Sequence, residues 1–381
     1  MHSCAIKSAA RAAFITLTFA VSSGALAQAQ AATSWDIGGT ISSEPYAAWA
    51  SSELSYGAAS TMSLVLSAKG NRARAEASMD SSVLSGAAAE EAWLLHSTPY
   101  GRSDELLVPA SSSASLSPSA TLVSLRVRSL YLKLDFDEAS LTAGRQFVNY
   151  GRGALWSPTD IFDELDLSGL SPERIGSDAL RLSVPFGTTE GLDLVAAPTT
   201  SPADGRYALR ARALVGGIDG AFMVARDGAE EGWIFGADFK ADIEIGLYGE
   251  ATYELYDSGE GGTLRAALGA DYSFGDFIVA AEYYYNGGGA AADILFPGAH
   301  NAYGSITWKA SELFQLAGTT VWNFTGGSGT ATLLATYSVA QNATLGAFVQ
   351  GSYGTAAYGL DLGLGGSGWM ALTGIQLEVK F

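Results

Sequence analysis

Cysteine is almost absent from this 381-residue sequence: one residue, Cys4. That excludes a disulfide scaffold and every metal or redox motif built on paired cysteines. Histidine is nearly as scarce, at three residues. There is no GxSxG, HExxH or Walker loop to give a nucleophile, a metal or a phosphate a place. Positive charge is short as well: 21 Lys and Arg stand against 39 Asp and Glu, a net charge of −18 that argues against nucleic acid as a partner. Long apolar runs are missing too. After the N-terminal segment no stretch approaches the eighteen or so apolar residues of a transmembrane helix, although the hydrophobic fraction is 48% and the mean hydropathy +0.16. A chain that is apolar overall without apolar runs must alternate.

The N-terminus reads as an export signal. Lys7 and Arg11 make a basic start, an apolar stretch runs from Ala12 to Ala20, and Ala25-Leu26-Ala27 is a small-x-small cleavage site. Residues 1–27 are therefore expected to be removed, taking Cys4 with them and leaving a net charge of −20. Cys4 precedes the apolar stretch, so it is not placed as a lipid-anchor cysteine.

Alternation fills the rest. Leu264, Ala266, Leu268, Ala270, Tyr272 and Phe274 oppose Arg265, Ala267, Gly269, Asp271 and Ser273. The segments Ile243 to Leu255 and Phe277 to Tyr285 alternate in the same way. Aromatic residues gather at segment ends, for example Trp233, Tyr253, Trp308 and Trp322. Segments of about ten residues with one apolar face and interfacial aromatics are the signature of a transmembrane barrel. A soluble sandwich also alternates, but so many long strands sharing one apolar face would need an oversized core. In lipid every backbone group must be paired, so the sheet must close on itself.

The closing residues sharpen this. Trp369, Ala371, Thr373, Ile375, Leu377, Val379 and Phe381 form one apolar face, and the chain stops on an aromatic. This ending resembles the last strand of Gram-negative outer-membrane β-barrel proteins, the porins among them. The resemblance implies a multi-pass barrel in the bacterial outer membrane, with Phe381 as an assembly signal read by the barrel-assembly machinery. It also implies outer-membrane lipid as a partner and a homotrimer as a common assembly.

The links alternate between short and long, which predicts an all-β, antiparallel up-and-down barrel of eighteen strands with short periplasmic turns. The count starts near Pro45 to Tyr56, with an outer link at Gly57 to Ser60. Residues 28–43 are then a periplasmic lead-in, or part of a bent first strand, and 44–381 the barrel. Sixteen strands is the alternative, if the pair around Ala179 to Val195 belongs to a loop. Ser111 to Ser119 reads as an outer-loop tip.

One segment fits neither strand nor surface loop. Arg145 to Arg181 holds Trp156-Ser157-Pro158-Thr159-Asp160, where a short helical turn is expected near Pro158, capped by Ser157 or Thr159. Acids Asp160, Asp163, Glu164 and Asp166 sit between Arg145, Arg152, Arg174 and Arg181. These eight residues are the pore-constriction candidates, on the expectation that residues 149–177 fold into the lumen. A lid on the outer rim is the competing reading. The run from Gly144 to Phe162 resembles a motif of porin-like outer-membrane proteins, which favours the inward fold. Arg126, Arg128, Arg206, Arg210 and Arg212 lie on polar faces early in the chain, and Glu244, Glu250, Glu254, Asp271 and Glu282 later. As lumen-wall residues they would set a basic sector opposite an acidic one and impose a transverse field; the plainer reading is a wet wall that tolerates charge. Lys133 and Asp135 are out of phase with Arg126 and Arg128, which calls for a bulge or for a strand that leaves the membrane.

The expected function is a channel for passive diffusion of small hydrophilic solutes or ions, with no cofactor and no bound metal. A non-conducting surface barrel, adhesin or structural, is the alternative. An outer-membrane hydrolase would have to use His96 or His300, and neither stands beside a Ser or Asp motif.

Overall fold

A computed structural model describes residues 34–50, 53–86, 111–117, 121–162, 164–166, 173–259, 261–288, 298–354 and 370–381. The expected signal segment 1–27, residues 28–33, His96 and Asp163 lie outside these. The strands are β1 Ser34–Ala50, β2 Glu53–Lys69, β3 Ala73–Gly86, β4 Ser111–Ser117, β5 Thr121–Asp135, β6 Ser140–Gln146, β7 Glu164–Asp166, β8 Glu173–Ile175, β9 Ser177–Pro185 and β10 Gly191–Ala197. They continue with β11 Arg206–Val215, β12 Ile218–Asp227, β13 Gly232–Asp242, β14 Gly246–Tyr256, β15 Gly262–Phe274, β16 Phe277–Asn286 and β17 His300–Lys309. The last are β18 Phe314–Asn323, β19 Ser328–Ala340, β20 Ala343–Tyr353 and β21 Met370–Lys380. The one helical turn among the described residues is a 3-10 turn at Pro202–Asp204.

Nineteen strands make one antiparallel sheet, and eighteen of them close it into a barrel, from β1–β2–β3–β5–β6–β9 onward in chain order to β21. Closure is the pairing of β21 with β1, from Thr40 opposite Lys380 to Ala50 opposite Met370. Beyond that register the Phe381 and Gly39 backbones exchange two further hydrogen bonds of 3.0 Å. The Phe381 ring lies over Gly39 on the outer face, where an added Cβ would stand 2.7 Å from its tip.

Side chains alternate as the sequence predicts. On β13 the outward Trp233, Phe235 and Phe239 are exposed, while Gly232, Ile234, Gly236 and Asp238 are buried inside. Outward rings form two belts. Phe274, Phe277 and Trp308 stack in a row at the short-turn end, with centroids 5.4 and 6.1 Å apart. Trp322 packs on Phe324 and Tyr353 at the other end. His300 belongs to this second belt, with Nδ1 2.6 Å from the Tyr283 hydroxyl. An apolar outer face between two aromatic belts is what a bilayer demands.

The structure corrects the first hairpin. The stretch 34–43, expected as a lead-in or as part of a bent first strand, is part of β1, as the second of these has it, and paired with β2 from Ser34 opposite Lys69. The two strands stay paired up to Ala50 opposite Glu53, so Gly57 to Ser60 is no loop. Gly57 is small because the Tyr46 hydroxyl crosses it inside the barrel. The hairpin of β9 and β10 is a true part of the wall, which excludes sixteen strands. Ser111–Ser117, read as a loop tip, is the extra strand β4, paired along the upper half of β5. The phase conflict in β5 is resolved by a bulge: Ser78 pairs with Ser129 and Met79 with Val127, so Arg128 is the extra residue.

Candidate functional site: a loop moored across the lumen

Between β6 and β9 the chain leaves the wall in a loop of which residues 147–162, 164–166 and 173–176 are described. The departure is built on Gly144, whose φ of +117° is open to glycine. Arg145 follows. Its Nε and Nη2 donate to the two Asp178 carboxylate oxygens (2.9 and 3.1 Å) and Nη1 to the Val127 carbonyl (3.2 Å). Arg145 is 1% exposed, so it braces the neck of the loop and does not line the passage as the sequence reading has it. Gln146 ties the neck to the Ala179 carbonyl at 2.9 Å.

The loop's apolar residues then dock on the inner wall. Val148, Tyr150 and Phe162 pack with Val195, Ala208, Met223 and Ile234, all lumen-facing. These apolar residues at inward positions are the seat for Tyr150, Ile161 and Phe162. Further along, Trp156 stacks on Tyr284 of β16, beside Ala267. Burying such a ring contributes about 1.5–3 kcal/mol to docking.

Polar contacts fix the rest, mostly through the loop backbone. The N–H groups of Arg152 and Gly153 donate to Glu250 Oε1 (both 2.9 Å), and the Thr159 N–H to Oε2 (3.0 Å), joined by the Thr159 hydroxyl. The N–H groups of Ala154, Leu155 and Trp156 donate to Glu282 (2.6, 3.3 and 2.7 Å). Consecutive amides converging on an anion form a nest. Gly153 permits it, since a Cβ there would collide with the Trp156 carbonyl. The Arg152 side chain reaches Asp238 (2.9 Å) and Asp219 (2.7 Å). Asp160 accepts the Tyr150 and Gly151 N–H groups and pairs with Arg174, clipping the loop to itself.

Near Pro158 the structure has a β-turn where a helical turn was expected, with the Asp160 N–H on the Ser157 carbonyl at 2.9 Å. Glu250 takes the Thr159 N–H and hydroxyl, which leaves no cap to start a helix. Beyond the turn, Glu164 and Asp166 fall on β7, which pairs antiparallel with β8, and only the backbone of these two acids is described.

The wall charges do not divide into a basic and an acidic sector. Arg181 pairs with Asp193, Arg206 with Asp227 and Arg210 with Asp238, each across strands. Arg128 lies near Asp80, and Arg126 donates to Ser82. Arg212 faces inward on the same side as Arg210. Glu254 pairs with Arg265. Asp271 stands inward beside Gly246. Glu244 is exposed in the turn 243–245, because β14 starts only at Gly246. Glu250 and Glu282, read as acidic-sector residues, are 4% and 3% exposed and hold the loop.

The sequence reading missed Asp193, Asp219, Asp227 and Asp238, the partners that cancel the arginine field. Their signal was present: each sits on the inward phase of its strand, Asp193 between the outward Leu192 and Leu194. Tyr150 was missed as well. Its ring is T-shaped to Phe162, and the Arg210 guanidinium lies 4.7 Å from its centroid.

A scan against protein-family models and a search of curated proteins each find no match. Solved structures do match. A doubly substituted OccD1 (OprD) aligns with a TM-score of 0.56 at 9% identity, covering 93% of this chain and 98% of its own. OccK8 (OprE) of Pseudomonas aeruginosa gives 0.56 at 7%, covering 91% and 98%. The outer membrane protein OprD from the same organism gives 0.54 at 8%, covering 91% and 94%. At such identities the likeness is one of fold. The chain thus has the fold of the Gram-negative outer-membrane porins: a closed antiparallel barrel of eighteen strands, here with a loop moored across its lumen.

Proposed function

We propose that this protein is a passive outer-membrane channel for small hydrophilic solutes or ions, narrowed by the loop 147–176. The observation that carries this is the loop's course. It runs inside the barrel and is tied to β13, β14 and β16, while the inner face of β17–β20 carries Ser305, Thr319, Thr332 and Gln350, each partly exposed. A polar face opposite a docked loop suits a water-filled passage. Of the expected constriction residues, Arg152, Asp160 and Arg174 lie on that loop and Arg181 on the wall beside it.

Reconstitution into a planar bilayer is the test. Discrete conductance steps are expected; a folded, heat-modifiable barrel that gives none would remove the reading in favour of a non-conducting surface barrel. Residence in the bacterial outer membrane, handling by the barrel-assembly machinery and a homotrimeric assembly belong to the same proposal. Fractionation and native mass determination check the first and the last.

A further inference from the structure

We infer that the passage selects for uncharged, polyhydroxylated solutes such as sugars, and that a row of hydroxyl and amide side chains across β17–β20 is what they bind. The inference rests on the channel reading and names the solute class for it. The row is set by strand register. Ser305 stands opposite Thr319, Thr319 opposite Thr332 and Thr332 opposite Gln350, one residue from each of four neighbouring strands. All four lie on the inward phase and are partly exposed. With strands about 4.8 Å apart, the row is about 14 Å wide. Among the described residues none of the four side chains has a hydrogen-bond partner, whereas Thr330 and Ser352 nearby bond each other at 3.0 Å. The donors and acceptors of the row are therefore open to a solute. A ring flanks it at each end: Tyr303 stands two residues from Ser305 on the outer side, and Phe348 two residues from Gln350 on the short-turn side. A sugar offers hydroxyls to such a row and apolar C–H faces to such rings.

Charge is what this wall leaves out. Apart from the outward His300, β17–β20 carry one charged side chain, Lys309, at the short-turn end. The acids on the next strands are engaged. Glu44 on β1 accepts from Gln376 Nε2 at 2.6 Å, and Glu378 on β21 pairs with Lys380 at 3.3 Å. Across the lumen the loop's charges are cancelled as well, Arg152 by Asp219 and Asp238, and Asp160 by Arg174. Arg212 and Asp271 form no ion pair among the described residues, and both stand on the loop's side, on β11 and β15. A charged solute at the row gives up hydration without meeting an opposite charge, whereas a neutral polyol exchanges water for hydroxyl and amide partners.

Uptake into proteoliposomes tests this, with potassium and valinomycin holding the membrane potential at zero. Labelled glucose, gluconate and glucosamine share one carbon frame and differ in charge, at about pH 6 where the amine is protonated. Glucose is expected to enter about fivefold faster than either of the others. Equal rates, or a charged solute ahead, would overturn the inference. Thr319→Val together with Thr332→Val removes two hydroxyls from the row at nearly constant volume. The ratio of glucose uptake to potassium conductance should then fall about fivefold. An unchanged ratio, in a barrel that still shifts on heating, would overturn the role of the row. Should the double variant fail to fold, the three uptake rates of the parent barrel decide alone. Neither conductance nor uptake of any solute would sink the channel reading and this inference with it. Conductance with gluconate or glucosamine ahead of glucose would sink this inference alone.

Discussion

Trp156 lies flat on Tyr284, with ring centroids 5.2 Å apart and planes inclined by 14°. One ring belongs to the loop and the other to the wall, so the pair reports docking without belonging to the barrel's own hydrogen-bonded frame. Trp156→Ala removes a stacking contact of about 0.5–1.5 kcal/mol beyond the buried area. Single-channel conductance should rise while the denaturant midpoint of the barrel stays within error. An unchanged conductance would exclude Trp156 from the narrowing.

The Arg145–Asp178 pair makes a different prediction, because both side chains are sealed from water. Arg145→Ala takes the guanidinium away from a buried carboxylate and should cost about 3–5 kcal/mol. Replacing both residues, as Arg145→Met with Asp178→Leu, should recover most of it. Urea midpoints of the three barrels measure this. A double variant as weak as the single one would show that the Val127 carbonyl, also bonded to Arg145, dominates.

Arg152 carries the loop's charge to the wall and covers Asp219 and Asp238. Arg152→Ala uncovers both, although Arg210 still holds Asp238. The lumen becomes more negative at its narrow part. The reversal potential in a salt gradient should move towards cation preference, and a move towards anions would contradict the placement.

Phe381 supplies two backbone hydrogen bonds to Gly39 and a ring over the seam. Deleting it should reduce the yield of heat-modifiable barrel in the membrane, with the lost material degraded. Equal yields would mean that β21 closes on β1 without it.

The barrel was legible because its signal is repeated. Each strand shows the same two-residue period, so errors at single turns leave the count intact. The first hairpin went wrong because glycine has two uses. At Gly57 it makes room for Tyr46 inside the barrel, and a sequence does not distinguish that from a turn. The loop's entry into the lumen was favoured by the resemblance of Gly144 to Phe162 to a porin-like motif, and Trp156 and Phe162 on that run do find apolar seats on the inner wall. What the charges do was not legible. Arg210 and Asp238 are neighbours through strand pairing, 28 residues apart in the chain, and Glu250 meets Arg152 across 98. A charge read along one strand looks like lumen chemistry until the partner from another strand is beside it.

The mooring through main-chain amides has a consequence for variation. Every residue type but proline brings the same N–H to positions 152 to 156, so the wall glutamates hold the loop whatever side chains it displays. Ala154 is exposed and Leu155 half-buried, and neither uses its side chain to bind Glu282. Position 154 is free to drift, or to be exchanged by design, and 155 is free among apolar side chains that keep its packing beside Trp156 and Tyr284, with the loop's path conserved by residues that lie in other strands. Two aperture chemistries on one frame would then differ by a couple of codons, while Glu250, Glu282 and Gly153 stay fixed.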